Sequence, residues 1–289
     1  MNNLQRIIWL ASFPKSGNTW LRTFLANYFQ PPGSTLDINN LSNFTTGDVR
    51  QDLYDRIYGA SFHPETPLEW LRVRQRVLRM VAASKPGHHF VKTHCKVMRL
   101  EGYDVIPPEY TAAAIYIMRN PFDVAPSYAR HMGTDVDAVI EHMKDHLATG
   151  RARGGTIEYI GRWDQHIIDW TEMAFGLPLH VIRYEDMLAE TKKTYRELFG
   201  FLKIKVDKLQ LRRAMAATSF KALQRQEKVK GFRERPDTMK QFFTKGKAGA
   251  WREDLSPSQV GRIREAFYPT LEKWYPELLE ETESFAGAG

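Results

Sequence analysis

The sequence contains almost no cysteine, since Cys95 is the only one in 289 residues. A single cysteine excludes an internal disulfide and a multi-cysteine zinc site, so we expect a reducing compartment. Long apolar runs are also missing, because none approaches the ~20 residues that a membrane-spanning helix needs. The first 13 residues are too short and too early for a signal peptide. These absences predict a cytoplasmic protein with no membrane partner.

Acidic residues are in the minority: 34 Asp and Glu stand against 41 Lys and Arg, a formal net charge of +7. This excess favours an anionic partner without naming it. Hydrophobic residues make up 43% of the chain, enough for a substantial core, and no internal repeat or low-complexity tract interrupts it. We therefore expect one domain over residues 1–289.

Short β-branched apolar runs alternate with longer segments of helical periodicity. The runs predict strands over 6–13, 89–93, 112–119 and 177–186. The periodic segments predict helices over 19–29, 67–83, 121–131, 135–148, 156–175, 191–202 and 256–274. This alternation predicts an α/β fold, a single doubly wound domain with a central parallel sheet flanked by helices.

Two segments fit neither pattern. Residues 31–66 are rich in Pro, Gly, Asn, Ser and Asp, and we interpret them as a variable surface excursion that shapes the acceptor side of a pocket. Residues 225–241 carry many charges and few buried-type residues, which favours a mobile loop. With the glycine-spaced "FFTKGKAGAW" that follows, the basic loop of 225–250 is predicted to lie over a bound anion.

The stretch "FPKSGNTW" links the first strand to the first helix. Backbone N–H groups that open a helix lack intrahelical partners and lie at the positive end of the helix dipole, so they bind anions. Gly17 allows close approach and Lys15 adds a charge. The common nucleotide loop places its lysine after the glycines, whereas Lys15 precedes the only glycine here. An ordinary strand–helix turn with a solvated lysine is the alternative.

Further polar residues follow the next strands. "VKTHCK" places Lys92 and His94 on one face of an extended chain, where the histidine can act as a general base or be merely structural. In "RNPFDVAPSY", Arg119 ends a strand and Ser127 lies two helical turns along a helix that begins near Pro121. Both can donate to a phosphate. These groups converge on the edge of a doubly wound sheet where nucleotides bind.

In combination these motifs resemble the soluble sulfotransferases that use 3′-phosphoadenosine 5′-phosphosulfate (PAPS). "FPKSGNTW" is similar to the family's 5′-phosphosulfate loop, "YIMRNPFDVAPSY" to its 3′-phosphate motif and "VKTHCK" to its catalytic K-T-H segment; "RYEDM" and "ATSF" match two further segments. The resemblance spans residues 7 to about 255, and Asn18 in the first loop is similar to bacterial members. It implies the P-loop-kinase-like sulfotransferase fold, PAPS as cosubstrate, 3′-phosphoadenosine 5′-phosphate (PAP) as product, and no metal.

The resemblance also implies a role for each matching residue. His94 would take the proton of the acceptor hydroxyl or amine, Lys92 would support the sulfuryl oxygens, and Lys15 would meet the leaving oxygen. The implied nucleotide contacts are Lys15, Ser16, Gly17, Asn18 and Thr19 on the 5′-phosphosulfate, Trp20 and Phe220 on adenine, Arg119, Ser127, Lys245 and Gly246 on the 3′-phosphate, and Tyr184 and Thr218 elsewhere on the nucleotide.

The C-terminal loop departs from the family's R-K-G-x-x-G-D-W pattern. Thr244 stands for the arginine and Ala250 for the aspartate, so one bidentate phosphate donor is missing. Lys247, Arg233 and Arg235 are candidates to compensate for it. The K-T-V-x-x-x-E dimerisation segment of many animal members is not apparent, which leaves a monomer and a different dimer both open.

Two other functions share part of this pattern. A small-molecule kinase would use a similar strand-loop-helix phosphate site, but it requires a lysine after the glycines and a carboxylate for magnesium. A non-catalytic protein that binds nucleotides or other anionic ligands through residues 225–247 would bind without turnover.

The acceptor is the least specified partner. Phe13, Phe44, Phe62 and Trp70 are aromatic residues that we expect near the site, which favours an aromatic or natural-product small molecule and no nucleic acid.

Overall fold

The computed structural model describes residues 4–151, 155–172 and 176–287. Within them the strands are β1 (Ile7–Ser12), β2 (Thr46–Gly47), β3 (His89–Thr93), β4 (Arg99–Leu100), β5 (Tyr103–Asp104), β6 (Thr111–Met118), β7 (Thr149–Arg151), β8 (Ile157–Tyr159) and β9 (Leu179–Arg183). Five of them form a parallel sheet in the order β2-β3-β1-β6-β9. β4–β5 and β7–β8 pair as separate antiparallel hairpins.

Helices connect and cover these strands. In chain order they are α1 (Asn18–Tyr28), α2 (Gln51–Tyr58), α3 (Pro67–Ala83), α4 (Pro121–Met132), α5 (Val136–Lys144), α6 (Trp163–Thr171), α7 (Tyr184–Ala189), α8 (Thr191–Phe201), α9 (Lys208–Ala217), α10 (Phe220–Lys230), α11 (Trp251–Asp254), α12 (Pro257–Trp274) and α13 (Leu279–Ala286), with 3-10 helices at Ile38–Asn43 and Pro276–Leu278. Among the described helices, none has both the length and the apolarity that a bilayer crossing requires.

The central strand β1 is buried at all six positions, and most of its neighbour β6 is buried too, because helices cover both faces of the sheet. Successive residues of β1 point to opposite sides, so Trp9 joins the core that contains α3, α4 and α12, while Leu10 joins the core formed with α1, α8 and α9. A parallel sheet with helices on both faces confirms the predicted doubly wound α/β architecture. Strand order reverses at β1, which is where such sheets form a crevice.

The predicted helix over 156–175 is wrong in its first part. Residues 157–159 form β8, and the helix begins only at Trp163. The apolar residues of this window have helical spacing. However, residues 157–159 pair with β7 in a hairpin, and this pairing places Glu158 in the lining of the cavity described below. The last three residues of the predicted helix lie outside the described residues.

Two other sequence predictions need correction. Residues 225–230 belong to helix α10 and not to a loop, because Leu223 and Glu227 are buried on one side of the helix while its other side is charged. The predicted strand over 177–186 ends at Arg183, and Tyr184 begins α7. The mobility of the segment that follows α10, and the single-domain reading of residues 1–289, stay predictions.

Candidate active site

A cavity of about 1050 Å³ lies at the carboxyl ends of β1, β3 and β6. The loops that follow these three strands meet there, as expected where the strand order reverses. The excursion over 31–66 contributes Ser42, Thr45, Gly47, Val49 and Arg50 to the lining. Most residues predicted from the sequence also line the cavity: Lys15, Gly17, Asn18, Thr19, Trp20, Lys92, His94, Arg119, Ser127, Tyr184, Phe220, Lys245 and Gly246.

Ser16 and Thr218 are the two predicted residues that are buried beside the cavity and do not line it. The Thr218 hydroxyl donates to the Ala214 carbonyl at 2.7 Å, and its own carbonyl accepts from Trp20 Nε1 at 2.9 Å. Thr218 therefore orients Trp20, and its contact with the nucleotide stays a prediction. Ser16 Oγ is buried and has no hydrogen-bond partner among the described residues.

The loop before α1 requires glycine at position 17. Gly17 has a φ of 102°, and a Cβ there would lie 2.6 Å from the Tyr184 ring. No side chain caps α1, so its first N–H groups face the loop without a side-chain acceptor. An anion is the group that such a helix end binds.

Asn18 has a different part in this loop. Its side-chain Nδ2 donates to the Leu10 carbonyl at 2.8 Å and to Ser12 Oγ at 3.3 Å. The amide thus ties the start of α1 to β1 and fixes the loop between them. Asn18 lines the cavity, but its side-chain donors are engaged by the protein itself.

Lys15 is a half-buried cation in the cavity wall. Its Nζ lies 4.1 Å from the centre of the Phe242 ring and 3.5 Å from His131 Nδ1, and no carboxylate of the described residues forms an ion pair with it. Burial, with smaller contributions from Arg119 and Arg130, lowers the pKa of Lys15 from 10.5 to about 7. A phosphate or sulfate group beside Nζ would favour the charged form and relieve this cost.

Aromatic and guanidinium groups form one end of the cavity. The Trp20 and Tyr184 rings meet edge to face at 5.9 Å, and the Arg119 guanidinium lies 4.2 Å from the Tyr184 ring centre. Phe220 faces this end from α10, and Gly246 is required beside it, because a Cβ there would lie 2.2 Å from the Phe220 ring. Flat apolar surfaces beside a cation suit a nucleobase next to a phosphate.

His94 is held in a defined tautomer. Its Nδ1 lies 2.7 Å from the Ser12 carbonyl, which can only accept, so Nδ1 carries the proton and Nε2 is left as an acceptor. Burial chiefly, and the nearby Lys92 charge, lower the pKa of His94 well below its usual value of 6.5. The ring is therefore neutral at pH 7, as a general base must be.

Lys92 forms an ion pair that the sequence analysis did not anticipate. Its Nζ donates to Glu158 Oε1 at 3.1 Å, and the two side chains are 16% and 6% exposed. The sequence does not predict Glu158 as a cavity residue, because residues 156–175 are predicted to be helical. The β7–β8 hairpin is what places this side chain in the cavity lining. One of the three Nζ–H donors is used by the carboxylate, which leaves two for another oxygen.

A buried network fixes the direction of Lys92 and His94. Thr93, between them, points to the other side of β3, where its hydroxyl donates to Asp48 Oδ2 at 2.7 Å. Arg74 donates to the same oxygen at 2.6 Å, and both charged side chains are fully buried. With Thr93 anchored on one side, its two neighbours must face the cavity.

The C-terminal loop is positioned by Asp123 of α4. The Asp123 carboxylate accepts from the backbone N–H groups of Gly249 at 2.8 Å and Trp251 at 3.0 Å. Lys245 lines the cavity but also donates to Asp254 Oδ1 at 2.7 Å. The Asp123 carboxylate therefore holds this loop beside the cavity, although Ala250 stands where the family has an aspartate.

Of the three cations proposed to compensate for Thr244, only Arg233 lines the cavity. Lys247 pairs with Glu253, and Arg235 donates to the Lys240 carbonyl.

A further ion pair joins this segment to α1. Arg22 donates to both carboxylate oxygens of Glu234 at 2.8 Å, and its Nε donates to Thr45 Oγ1 at 2.9 Å. Both partners of the ion pair line the cavity. No local pattern marks two residues 212 positions apart as partners, so the sequence alone does not predict this contact.

The aromatic residues expected near the acceptor are not on the cavity wall. Phe13, Phe62 and Trp70 are at most 1% exposed in the main core, and Phe44 packs against Phe29 and Phe90. The cavity lining contains polar residues such as Lys92 and Glu158 together with other apolar and aromatic residues, among them Tyr128, Ile157 and Ile160. An aromatic acceptor stays a prediction, but these four residues do not support it.

No group of three or more histidine, cysteine or acidic side chains with the spacing of a metal site occurs in the part of the chain that the structure describes.

Comparison with known proteins gives a consistent picture. A family profile described as "Sulfotransferase domain" matches residues 5–275. Sulfotransferase 1A1 of Canis lupus familiaris is 23% identical over 270 residues, which cover 88% of this chain and 79% of that protein.

Solved structures show the same fold. Mouse sulfotransferase SULT7A1, complexed with PAP, superposes with a TM-score of 0.61 at 19% identity and covers 99% of this chain and 90% of its own. Retinol dehydratase, in complex with androsterone and the inactive cofactor PAP, gives 0.62 at 19% identity, with 94% and 82% covered. These likenesses confirm the predicted fold.

Proposed function

Because the chain belongs to the sulfotransferase domain family, we propose that it transfers the sulfuryl group of PAPS to a hydroxyl or amine of a small-molecule acceptor, with His94 as general base. Family membership decides against the kinase alternative. The assignment of roles to individual residues is our proposal and rests on the geometry of the cavity.

The observation that carries the proposal is the meeting of a neutral histidine and two lysines on one cavity wall. His94 presents an unprotonated Nε2, while Lys15 and Lys92 approach from the neighbouring loop and strand. Sulfuryl transfer needs an acceptor for the departing proton and fixed positive charge for the oxygens that become more negative. This wall supplies both.

The groups near the first loop fit the phosphosulfate of PAPS. The uncapped start of α1 and the Lys15 cation, which has no carboxylate partner among the described residues, belong to one loop and helix end that line the cavity. Each of these groups is stabilised by an anion. We assign Lys15 to the bridging oxygen, and Thr19 with the helix N–H groups to the 5′-phosphate.

The reaction then balances without a further reactant. The acceptor oxygen or nitrogen forms a bond to sulfur as the sulfur–oxygen bond to the 5′-phosphate breaks, in line, and PAP leaves. His94 Nε2 takes the acceptor proton. Lys92 holds the sulfuryl oxygens with the N–H donors that Glu158 does not use.

The test is the variant His94→Ala. We expect sulfuryl transfer from PAPS to fall by about 100- to 10,000-fold, because the proton acceptor is lost. The dissociation constant of PAP, measured by titration calorimetry, should change by less than about two-fold, since His94 faces the acceptor. His142→Ala, which changes a histidine of α5 outside the cavity wall, is the matched control. Near-normal turnover of His94→Ala would remove the base from the mechanism.

A further inference from the structure

The net positive charge of the chain is concentrated in one short segment. Residues 203–230 contain nine lysines and arginines and only two acidic residues, an excess of seven. The formal net charge of the whole chain is also +7, so the remainder of the sequence is neutral in sum. A charge distribution this uneven creates a positive electrostatic potential around residues 203–230 and not around the whole protein.

Nearly all of this charge faces solvent. The nine exposed cations are Lys203, Lys205, Lys208, Arg212, Arg213, Lys221, Arg225, Lys228 and Lys230. Of the two acidic residues, Glu227 is buried and accepts from the backbone N–H groups of Phe242 and Phe243. Among the described residues, Lys230 pairs with Asp37, and the other eight cations have no ion pair. The surface of α9 and α10 is therefore cationic.

This surface adjoins the nucleotide end of the cavity. Phe220 and Leu223 of α10 line the cavity, and the residue that orients Trp20 follows the end of α9. Lys221, Arg225 and Lys228 are exposed on α10 at spacings of four and three residues, so they form one row on the helix that contributes Phe220 and Leu223 to the cavity lining.

We propose that the outer face of α10 is an electrostatic steering surface for the donor nucleotide. The inference rests on the proposed function, because PAPS and PAP are small ligands with several negative charges. A positive row next to a cavity raises the local concentration of an anion and speeds its capture by about 10- to 1,000-fold at low salt. Beyond ~10 Å the effect is screened at 0.1 M salt, so only cations close to the mouth contribute.

Helix α3 offers a matched control, because it carries a similar row of exposed cations but does not line the cavity. Arg72, Arg76 and Arg79 of α3 are exposed and have the same four-and-three spacing as the α10 row. No residue of α3 lines the cavity. Reversing three charges on either helix changes the net charge equally, so only the location differs.

The experiment compares Lys221→Glu/Arg225→Glu/Lys228→Glu with Arg72→Glu/Arg76→Glu/Arg79→Glu. Stopped-flow fluorescence measures the association rate constant of PAP at about 20 mM and about 500 mM salt. We expect the α10 variant to associate about ten-fold more slowly at low salt and within about two-fold of wild type at high salt. The α3 variant should stay within about two-fold at both, and kcat at saturating PAPS should be unchanged in both variants.

The outcomes separate the steering surface from the enzyme's activity. Equal slowing in both variants would mean that net charge alone acts, and no slowing in either would mean that the α10 row plays no part; each result overturns the proposal and leaves sulfuryl transfer intact. A wild-type protein that binds neither PAP nor PAPS would overturn the proposed function first. The corresponding glutamine variant of the α10 row, which removes three charges without reversing them, should give a smaller slowing than the glutamate variant.

Discussion

Lys15 has a left-handed backbone conformation, and its side chain lies in the cavity wall near two other cations, Arg119 and Arg130. Its φ is 66°, a conformation that costs a residue with a Cβ about 1 kcal/mol or more. Burial and the charges of Arg119 and Arg130 disfavour its ammonium form, so its pKa is about 7. Such a cost is typical of a residue whose charge is needed for a ligand and not for folding.

The lowered pKa predicts how nucleotide binding depends on pH. Below pH 7 Lys15 is protonated in the free protein and binds the anion; above pH 7 it loses its proton, so affinity falls. The dissociation constant of PAP should rise by up to about ten-fold per unit between pH 7 and 9, as measured by calorimetry. Lys15→Arg keeps its charge throughout this range and should show little rise. The same rise in both proteins would place the titrating group elsewhere.

At Glu158 we predict a positioning role through Lys92. Glu158→Gln keeps an oxygen that accepts from Nζ, so kcat should stay within about three-fold, whereas Glu158→Ala frees the lysine and should lower kcat by about ten-fold. The dissociation constant of PAP should be unchanged in both.

A double-mutant cycle checks this role. In a Lys92→Ala background, Glu158→Ala should have no further effect on kcat, because its partner is already gone. Additive losses, or a higher kcat in Glu158→Ala, would contradict the positioning role.

Among the elements, those with strong local signals are the ones that the sequence predicted best. Helix α3 has Thr66 as N-cap and proline at its first position, and its observed bounds match the prediction. Helix α12 begins with a capping box at Ser256. Helices α9 and α10 were missed, because their many exposed charges hide the few buried residues that define the helical face.

The ion pair between Arg22 and Glu234 links α1 to a C-terminal segment that lines the cavity. Glu234→Ala removes both hydrogen bonds, and we expect the dissociation rate constant of PAP to rise about five-fold, which corresponds to about 1 kcal/mol for a partly exposed pair. Stopped-flow displacement measures this rate.

Glu190→Ala is the matched control for that change, because it removes an exposed ion pair with Lys193 on α8, away from the cavity. A dissociation rate that is unchanged in Glu234→Ala would show that the pair does not hold the segment over the nucleotide.

For the whole molecule, the sheet, the crevice and the charge distribution act together. The parallel sheet places three loops at one edge, and the two cores on its faces hold those loops in fixed relation. Helix α10, which carries part of the cationic face, contributes Phe220 and Leu223 to the lining of the same crevice. We expect its contribution to donor capture to depend on where the charges lie and not on the net charge, and the comparison with the α3 variant tests this.

By itself, the sequence determined the α/β class, the parallel sheet and a set of site residues most of which line the cavity. It did so because alternation of buried strands with helices, and loops that follow strands, are local patterns whose meeting point follows from the doubly wound topology. Lys15, Lys92, His94 and Arg119 could all be found in this way.

Only the tertiary structure decided the partners of those residues. The contacts of Lys92 with Glu158, of Arg22 with Glu234 and of Trp20 with Thr218 join positions 66 to 212 residues apart. Local periodicity contains no information on such pairs, because they depend on how the hairpin, the helices and the C-terminal segment pack over the sheet. The same packing sets the burial that lowers the pKa of Lys15 and His94 and so prepares both for their proposed roles.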